Sequence, residues 1–191
     1  MRIVSITQDY FEKYAKGDRE FMQKHGRPCL IVLRLSFRGR KLDFAVPFRS
    51  NIAPNVPKDQ YFALPPRPTT RPRHRHGIHY IKMFPITKQY QQKFRTGGNP
   101  YYESIAKIIS SHESEIVAAC QNYLKRYETE GRPRFAVDID RILSLMDKAE
   151  RPPVDALSGI LVALCTSAPT VDGDIKHGHS FHARGGAGAQ A

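Results

Sequence analysis

The hydrophobic positions change period along this 191-residue chain, and each change marks an element. Arg2-Ile-Val-Ser-Ile6 reads as a short strand. Thr7 is placed to cap a helix from Gln8 to about Lys16, with Tyr10, Phe11 and Tyr14 on one face and Gly17 at its end. Residues 29–37 then alternate: Leu33, Leu35 and Phe37 point one way, Arg34, Ser36 and Arg38 the other. After Gly39 the alternation resumes with Leu42, Phe44, Val46 and Phe48. Two period-2 runs separated by Arg38-Gly39-Arg40-Lys41 predict a β-hairpin with a basic turn. Pro47 has no amide hydrogen to give a ladder, so the second strand is expected to lie at an edge or leave the sheet there.

Residues 49–76 hold six prolines and little periodicity, which predicts a long structured loop, too long to be idle in a compact domain. Strand signal returns at Ile78–Phe84, followed by Pro85 and a further short extended piece. Asn99-Pro100 supplies a cap and first position for a long helix. Ile105, Ile108, Ile109, His112, Ile116, Ala119, Cys120, Tyr123 and Tyr127 share one face of it. A second helix, about Asp138 to Ala149, groups Ile139, Ile142, Leu143 and Met146. The simplest architecture is α+β, an antiparallel sheet with helices laid on it. Residues 1–151 form the expected domain. The segment 152–191, rich in Gly, Ala and His, is expected to be a flexible tail without assigned function, and its His177, His179 and His182 read as tail composition rather than a metal site.

Charge sharpens this picture. The chain carries a formal charge of +12, and its first hundred residues hold 20 basic against 6 acidic side chains. A half-molecule so one-sided is a strong field source whose natural partner is a polyanion, here RNA or DNA. No apolar run is long enough to span a membrane, and MRIVSITQDY does not read as a signal peptide. Cys29, Cys120 and Cys165 form no Cys-x-x-Cys pair, which suits a reducing cytosol rather than a disulfide framework or zinc ribbon. The expected location is cytoplasmic.

Three stretches set reactive polar groups beside rigid apolar ones: Arg27-Pro28, Val46-Pro-Phe-Arg-Ser-Asn-Ile52, and Arg73-His-Arg-His-Gly-Ile-His-Tyr-Ile-Lys82. Cleaving RNA without a metal requires a base for the 2′-hydroxyl, cations or donors for the phosphorane oxygens, and an acid for the 5′-oxygen. Arg49, Ser50, His79 and Lys82 supply those types. The acids of the basic half (Asp9, Glu12, Asp18, Glu20, Asp43 and Asp59) have no metal-motif spacing, so a two-metal nuclease is not expected. Each residue also has a plainer reading. Ser50 would satisfy turn amides, His76 and His79 would be surface residues, Tyr80 would be core, and Lys82 a solvated strand position.

Read together, Arg27-Pro28 before an apolar strand, the Gly turn, Phe44-Ala-Val-Pro-Phe-Arg-Ser-Asn-Ile52 and His76-Gly-Ile-His-Tyr-Ile-Lys-Met-Phe-Pro-Ile86 resemble the ToxN/AbiQ group of type III toxin–antitoxin ribonucleases and their CptN/TenpN relatives. The resemblance covers about residues 1–150. It implies a highly twisted antiparallel sheet or barrel with flanking helices, like MazF-type toxins. It also implies an endoribonuclease that needs no metal or other cofactor and leaves 2′,3′-cyclic phosphate ends. A small pseudoknotted, repeat-encoded RNA would inhibit it and be processed by it, in a closed protein–RNA ring, within plasmid maintenance or phage abortive infection. Ser50 falls at the family's active-site serine. Arg49 stands where ToxN has threonine and Ile52 where it has lysine, so the cation has to come from Arg49, Arg27 or Lys82, with His79 as acid or base. Arg67, Arg71, Arg73, Arg75, His76, Tyr80 and Asn51 are the expected RNA-binding residues. The alternatives are a non-catalytic module for structured RNA and a type II-like toxin held by an acidic protein partner.

Overall fold

The spine of the molecule is the hairpin, β2 (Cys29–Phe37) with β3 (Arg40–Ile52). The computed structural model describes residues 2–21 and 29–150, so Arg27 and the tail 152–191 lie outside the described residues. The turn is two residues, not four: Arg38 (φ +47°) and Gly39 (φ +72°) both sit in the left-handed region that a tight primed hairpin requires. Arg38 tolerates this because the Glu128 carboxylate accepts its amide, and its guanidinium pairs with Asp140 at 2.8 Å. A bulge between Val32 and Leu35 adds a residue to β2, with Arg34 at φ +35°.

Pro47 does not put β3 at an edge. The ladder with β2 runs to the Cys29–Pro47 pair, and at Phe48 the strand takes a new antiparallel partner, β5 (Arg75–His79), through Phe48–Ile78 and Arg49–Gly77. The missing amide therefore falls where β3 passes from one partner to the next. Two further departures from the sequence reading lie nearby. The proline-rich loop contains a strand, β4 (Tyr61–Leu64), paired to β5. The predicted strand Ile78–Phe84 is broken by a 3-10 turn at Tyr80–Lys82, after which β6 (Phe84–Pro85) rejoins β3 at Ala45 and Phe44. Gly77 makes the β4–β5 approach possible, since a Cβ there would lie 2.2 Å from the Phe62 carbonyl oxygen.

On the other side β1 (Arg2–Ile6) pairs with β2 and with β7 (Gln91–Lys93), giving the order β4-β5-β3-β2-β1-β7. The sheet is antiparallel and curls into a half-barrel with helices on it, the α+β architecture expected. Where β1 stops short, the open edge of β2 is covered by a side chain: Gln121 accepts from the Ser36 amide and donates to its carbonyl, both at 2.9 Å.

The first helical segment is α1 (Gln8–Tyr10), which widens into a π turn over Phe11–Ala15, and Thr7 makes no side-chain cap bond. Its aromatic face is buried as expected: Tyr10 stacks on Phe84 at 5.4 Å and donates to the Pro85 carbonyl. The long helix is two. α2 (Pro100–Ser111) starts at Asn99, whose side chain accepts from the Tyr102 amide, and His112 interrupts it before α3 (Glu113–Glu130). His112 is exposed rather than core. α3 buries Ile116, Cys120, Tyr123, Leu124 and Tyr127, while α4 (Ile139–Glu150) buries Ile139, Ile142, Leu143 and Met146. Asp138 caps α4 by accepting from the Arg141 amide at 2.9 Å. Removing one of these buried side chains, as in Leu124→Ala, is expected to cost about 2–5 kcal/mol. Among the described residues no helix is long and apolar enough to cross a membrane.

Candidate functional site

Alternation along β3 and β5 sorts the candidate residues onto two faces. Phe48 and Ser50 share one face of β3, and Arg49 takes the other. On β5, His76 and Ile78 align with Phe48, and Gly77 and His79 with Arg49.

The Ser50 face opens into a pocket of about 280 Å³ lined by Ser50, Asn51, Arg67, His76, Tyr101 and Tyr102 over an apolar floor of Phe48 and Ile105. The loop above it is held by its own polar groups. The Asn51 side-chain oxygen accepts from the Arg71 amide at 2.8 Å, which ties it to the loop. Thr70 closes a turn on Arg67, accepting from its amide at 3.0 Å through the hydroxyl and donating its own amide to the Arg67 carbonyl at 2.8 Å. The Arg67 guanidinium lies over the rings of Tyr101 and Tyr102, at 5.4 and 5.7 Å. Arg71, Arg73 and Arg75 are exposed on the same loop and the start of β5. Asp59, the one acid of residues 51–100, is occupied by Arg126 at 2.6 Å, so the loop's field is not neutralised from within.

His76 is buried, 4% exposed, and is held in one tautomer. Its Nδ1 lies 2.9 Å from the Pro65 carbonyl oxygen, which can only accept, so Nδ1 carries the proton. The Tyr101 hydroxyl sits 2.8 Å from the same nitrogen and 3.3 Å from the same carbonyl, accepting from the ring and donating to Pro65. Nε2 then keeps its lone pair. Burial pushes the His76 pKa below its ordinary value, opposed by the hydrogen bond to Pro65 and aided by the charge of Arg67, so the neutral ring is favoured at physiological pH. Burial pushes the Tyr101 hydroxyl up to about 12, so it stays protonated.

The opposite face is closed. His79 is 2% exposed and its Nδ1 accepts from the Arg49 guanidinium at 3.3 Å. Burial, then the positive charges of Arg49 and Lys82, drive its pKa down to about 3. The sequence makes His79 the expected acid or base; the neutral ring is no imidazolium donor at neutral pH, and its Nδ1 lone pair is taken by Arg49 on the side away from the pocket. Lys82 is 4% exposed rather than solvated, and its ammonium donates to the Glu20 carboxylate, the Glu20 carbonyl and the Phe135 carbonyl. Its three protons are spent inside the fold, so it cannot also neutralise a scissile phosphate. Burial, partly offset by Glu20, lowers its pKa. Tyr80 is core, 3% exposed, and offers no face to a base. Of the expected catalytic residues that are described (Ser50, Arg49, His79 and Lys82), only Ser50 lines the pocket, and Arg27 lies outside the described residues. The structure adds Tyr101 and Tyr102, which the sequence reading passed over as the opening turn of a helix. Among the described residues no cluster of His, Cys, Asp or Glu could hold a metal ion.

A curled antiparallel half-barrel with helices laid on it is a fold with solved counterparts. One, in a bacterial antiviral system regulated by a processed non-coding RNA, superposes with a TM-score of 0.57 at 17% identity over 75% of this chain and 96% of its own. Another, from a bacterial type III toxin–antitoxin system in which a non-coding RNA pseudoknot selectively inhibits the toxin, gives 0.59 at 16% identity over 78% and 98%. Both are ToxN proteins, so the fold of this chain is the ToxN fold. No protein-family model and no curated protein sequence matches the chain.

Proposed function

We propose that the chain is the toxin of a type III toxin–antitoxin system, an endoribonuclease restrained by a small structured RNA. The observation that carries this reading is the convergence of Ser50, Arg67, His76 and Tyr101 in one pocket beneath an arginine-rich loop, on a ToxN fold. RNA lies along Arg71, Arg73 and Arg75, which hold its phosphates, and the scissile nucleotide enters the pocket. Ser50 donates a hydrogen bond to the phosphate, and Arg67 supplies the charge that offsets the developing phosphorane. Neutral His76 accepts the 2′-hydroxyl proton at Nε2, its ring oriented by Pro65 and Tyr101. The 2′-oxygen attacks phosphorus, the bond from phosphorus to the 5′-oxygen breaks, that oxygen takes a proton from water, and a 2′,3′-cyclic phosphate remains. These side chains cover attack and charge stabilisation without a metal. An antitoxin RNA that fills the same pocket and loop inhibits by occupying them, and the enzyme acts in the cytoplasm where its RNA substrates are.

The test is induction of wild type and Ser50→Ala in a bacterial host, with cellular RNA ends mapped. Growth arrest with new cyclic-phosphate ends is expected for wild type alone. Cleavage by Ser50→Ala would remove the serine from the mechanism. Soluble wild type with no arrest and no new ends would leave a non-catalytic RNA-binding module.

A further inference from the structure

A second feature stands outside the pocket and is not used by the proposed reaction. Phe135 is the only large apolar side chain among the described residues that stands exposed, at 57%. Its backbone is at φ +65°, a region that a bulky residue adopts only when its surroundings compel it. The surroundings do: Lys82 donates to the Phe135 carbonyl at 2.6 Å and the Ala136 amide donates to Pro133 at 3.1 Å. Arg132 Nε donates to the Ala136 carbonyl at 2.9 Å, and the Val137 amide to Ile81 at 3.0 Å. The loop between α3 and α4 is therefore clamped, while the ring it carries touches solvent. Glycine would suit that backbone better, so folding alone does not account for a phenylalanine.

The ring is not bare. The Arg134 guanidinium lies 4.6 Å from its centroid, and among the described residues Arg134 makes no ion pair, whereas Arg132 is occupied by Asp18 and Asp138. A rigid aromatic face backed by a guanidinium suits a flat π-system next to a phosphate. It is too small to anchor a protein partner, whose contacts need a cluster of buried anchors. We propose that the Arg134–Phe135 pair is a stacking platform for an unpaired nucleobase of RNA, a contact point separate from the Ser50 pocket. This rests on the reading of the chain as an RNA-binding protein. It also gives Lys82 a role, since its buried ammonium fixes the carbonyl of the residue that presents the ring.

The test compares wild type, Phe135→Gly and Phe135→Tyr in the full chain. The probe is a fluorescent single-stranded RNA of about 12 nucleotides, 2′-O-methylated to prevent cleavage, beside a matched strand with abasic positions. Phe135→Gly is expected to weaken binding of the base-bearing strand about fivefold or more, with little change for the abasic strand. Its melting temperature should stay the same or rise, because glycine relieves the backbone, and Phe135→Tyr should bind as wild type does. If Phe135→Gly binds like a competent wild type, the platform is refuted and RNA binding stands. A lower melting temperature with equal loss on both strands makes the ring structural and overturns the proposal. Wild type that binds neither strand overturns both readings.

Discussion

The two faces of β3 and β5 carry the same residue types within a few residues of each other, and they come to opposite ends. On one, Ser50 and His76 meet Arg67 and Tyr101 around an open pocket. On the other, half-buried Arg49 donates to buried His79, and Lys82, in the 3-10 turn that follows β5, has all its donors met by Glu20 and Phe135. The difference is the strand's period of two. A histidine and cations are not a site until the pleat decides which of them meet solvent, and His76 and His79, three positions apart, lie on opposite sides.

This comparison can be broken most sharply on the pocket side. Ser50→Ala should lower cleavage at least about 100-fold, the scale of losing a charge-stabilising donor. Because Ser50 is only half-buried, thermal stability should stay within about 0.5 kcal/mol of wild type, checked by denaturant melts. A next, smaller effect belongs to the closed face. Lys82→Met should destabilise by about 1–3 kcal/mol in the same melts, because it strips two partly buried carbonyls and a carboxylate of their donor. A stable Lys82→Met that has lost only activity would return the lysine to the catalytic machinery.

His79 separates the faces by pH. Its folded pKa, about 3, lies below the ordinary value near 6.5, so the unfolded chain binds the extra proton first. Its contribution to stability is complete above about pH 6.5 and is lost as the pH falls toward 3, at no more than about 1.4 kcal/mol per pH unit. His79→Gln should flatten that acid limb of the stability curve, read as melting temperature against pH. An unchanged limb would place the acid sensitivity elsewhere. The smallest effect is electrostatic. Each of Arg71→Ala, Arg73→Ala and Arg75→Ala should reduce the slope of log affinity for RNA against log salt by about 0.7–0.9. Slopes that do not move would detach the loop from the phosphate backbone.

Much of this was legible in the chain, and the failures have physical causes. The hairpin showed in its period-2 runs, and the cap at Asn99 showed in its chemistry, whereas Thr7, named as a cap, makes no side-chain cap bond. Of the two expectations at Pro47, the edge failed and the departure came near, because a central strand can change partners at the residue that cannot donate. Tyr61–Leu64 was hidden because four strand residues between prolines leave too short a pattern to count. The break at His112 was invisible because Ile109 and Ile116 keep a helical phase across it. Within the site, Ser50, Asn51, Arg67 and His76 could be named from the sequence. Tyr101 and Tyr102 could not be placed, since only the packing of α2 beneath the loop brings them to Arg67, 34 and 35 positions away. The one available signal was a pair of tyrosines in the first, solvent-facing turn of an otherwise apolar-faced helix.

The central claim is that the chemistry belongs to the Ser50 face. The most direct measurement is single-turnover cleavage of one RNA by purified His76→Gln and His79→Gln. A loss of about 100-fold or more is expected for His76→Gln and a rate within a few-fold of wild type for His79→Gln. The reverse order, with His79→Gln folded and inactive while His76→Gln cleaves normally, would contradict that claim.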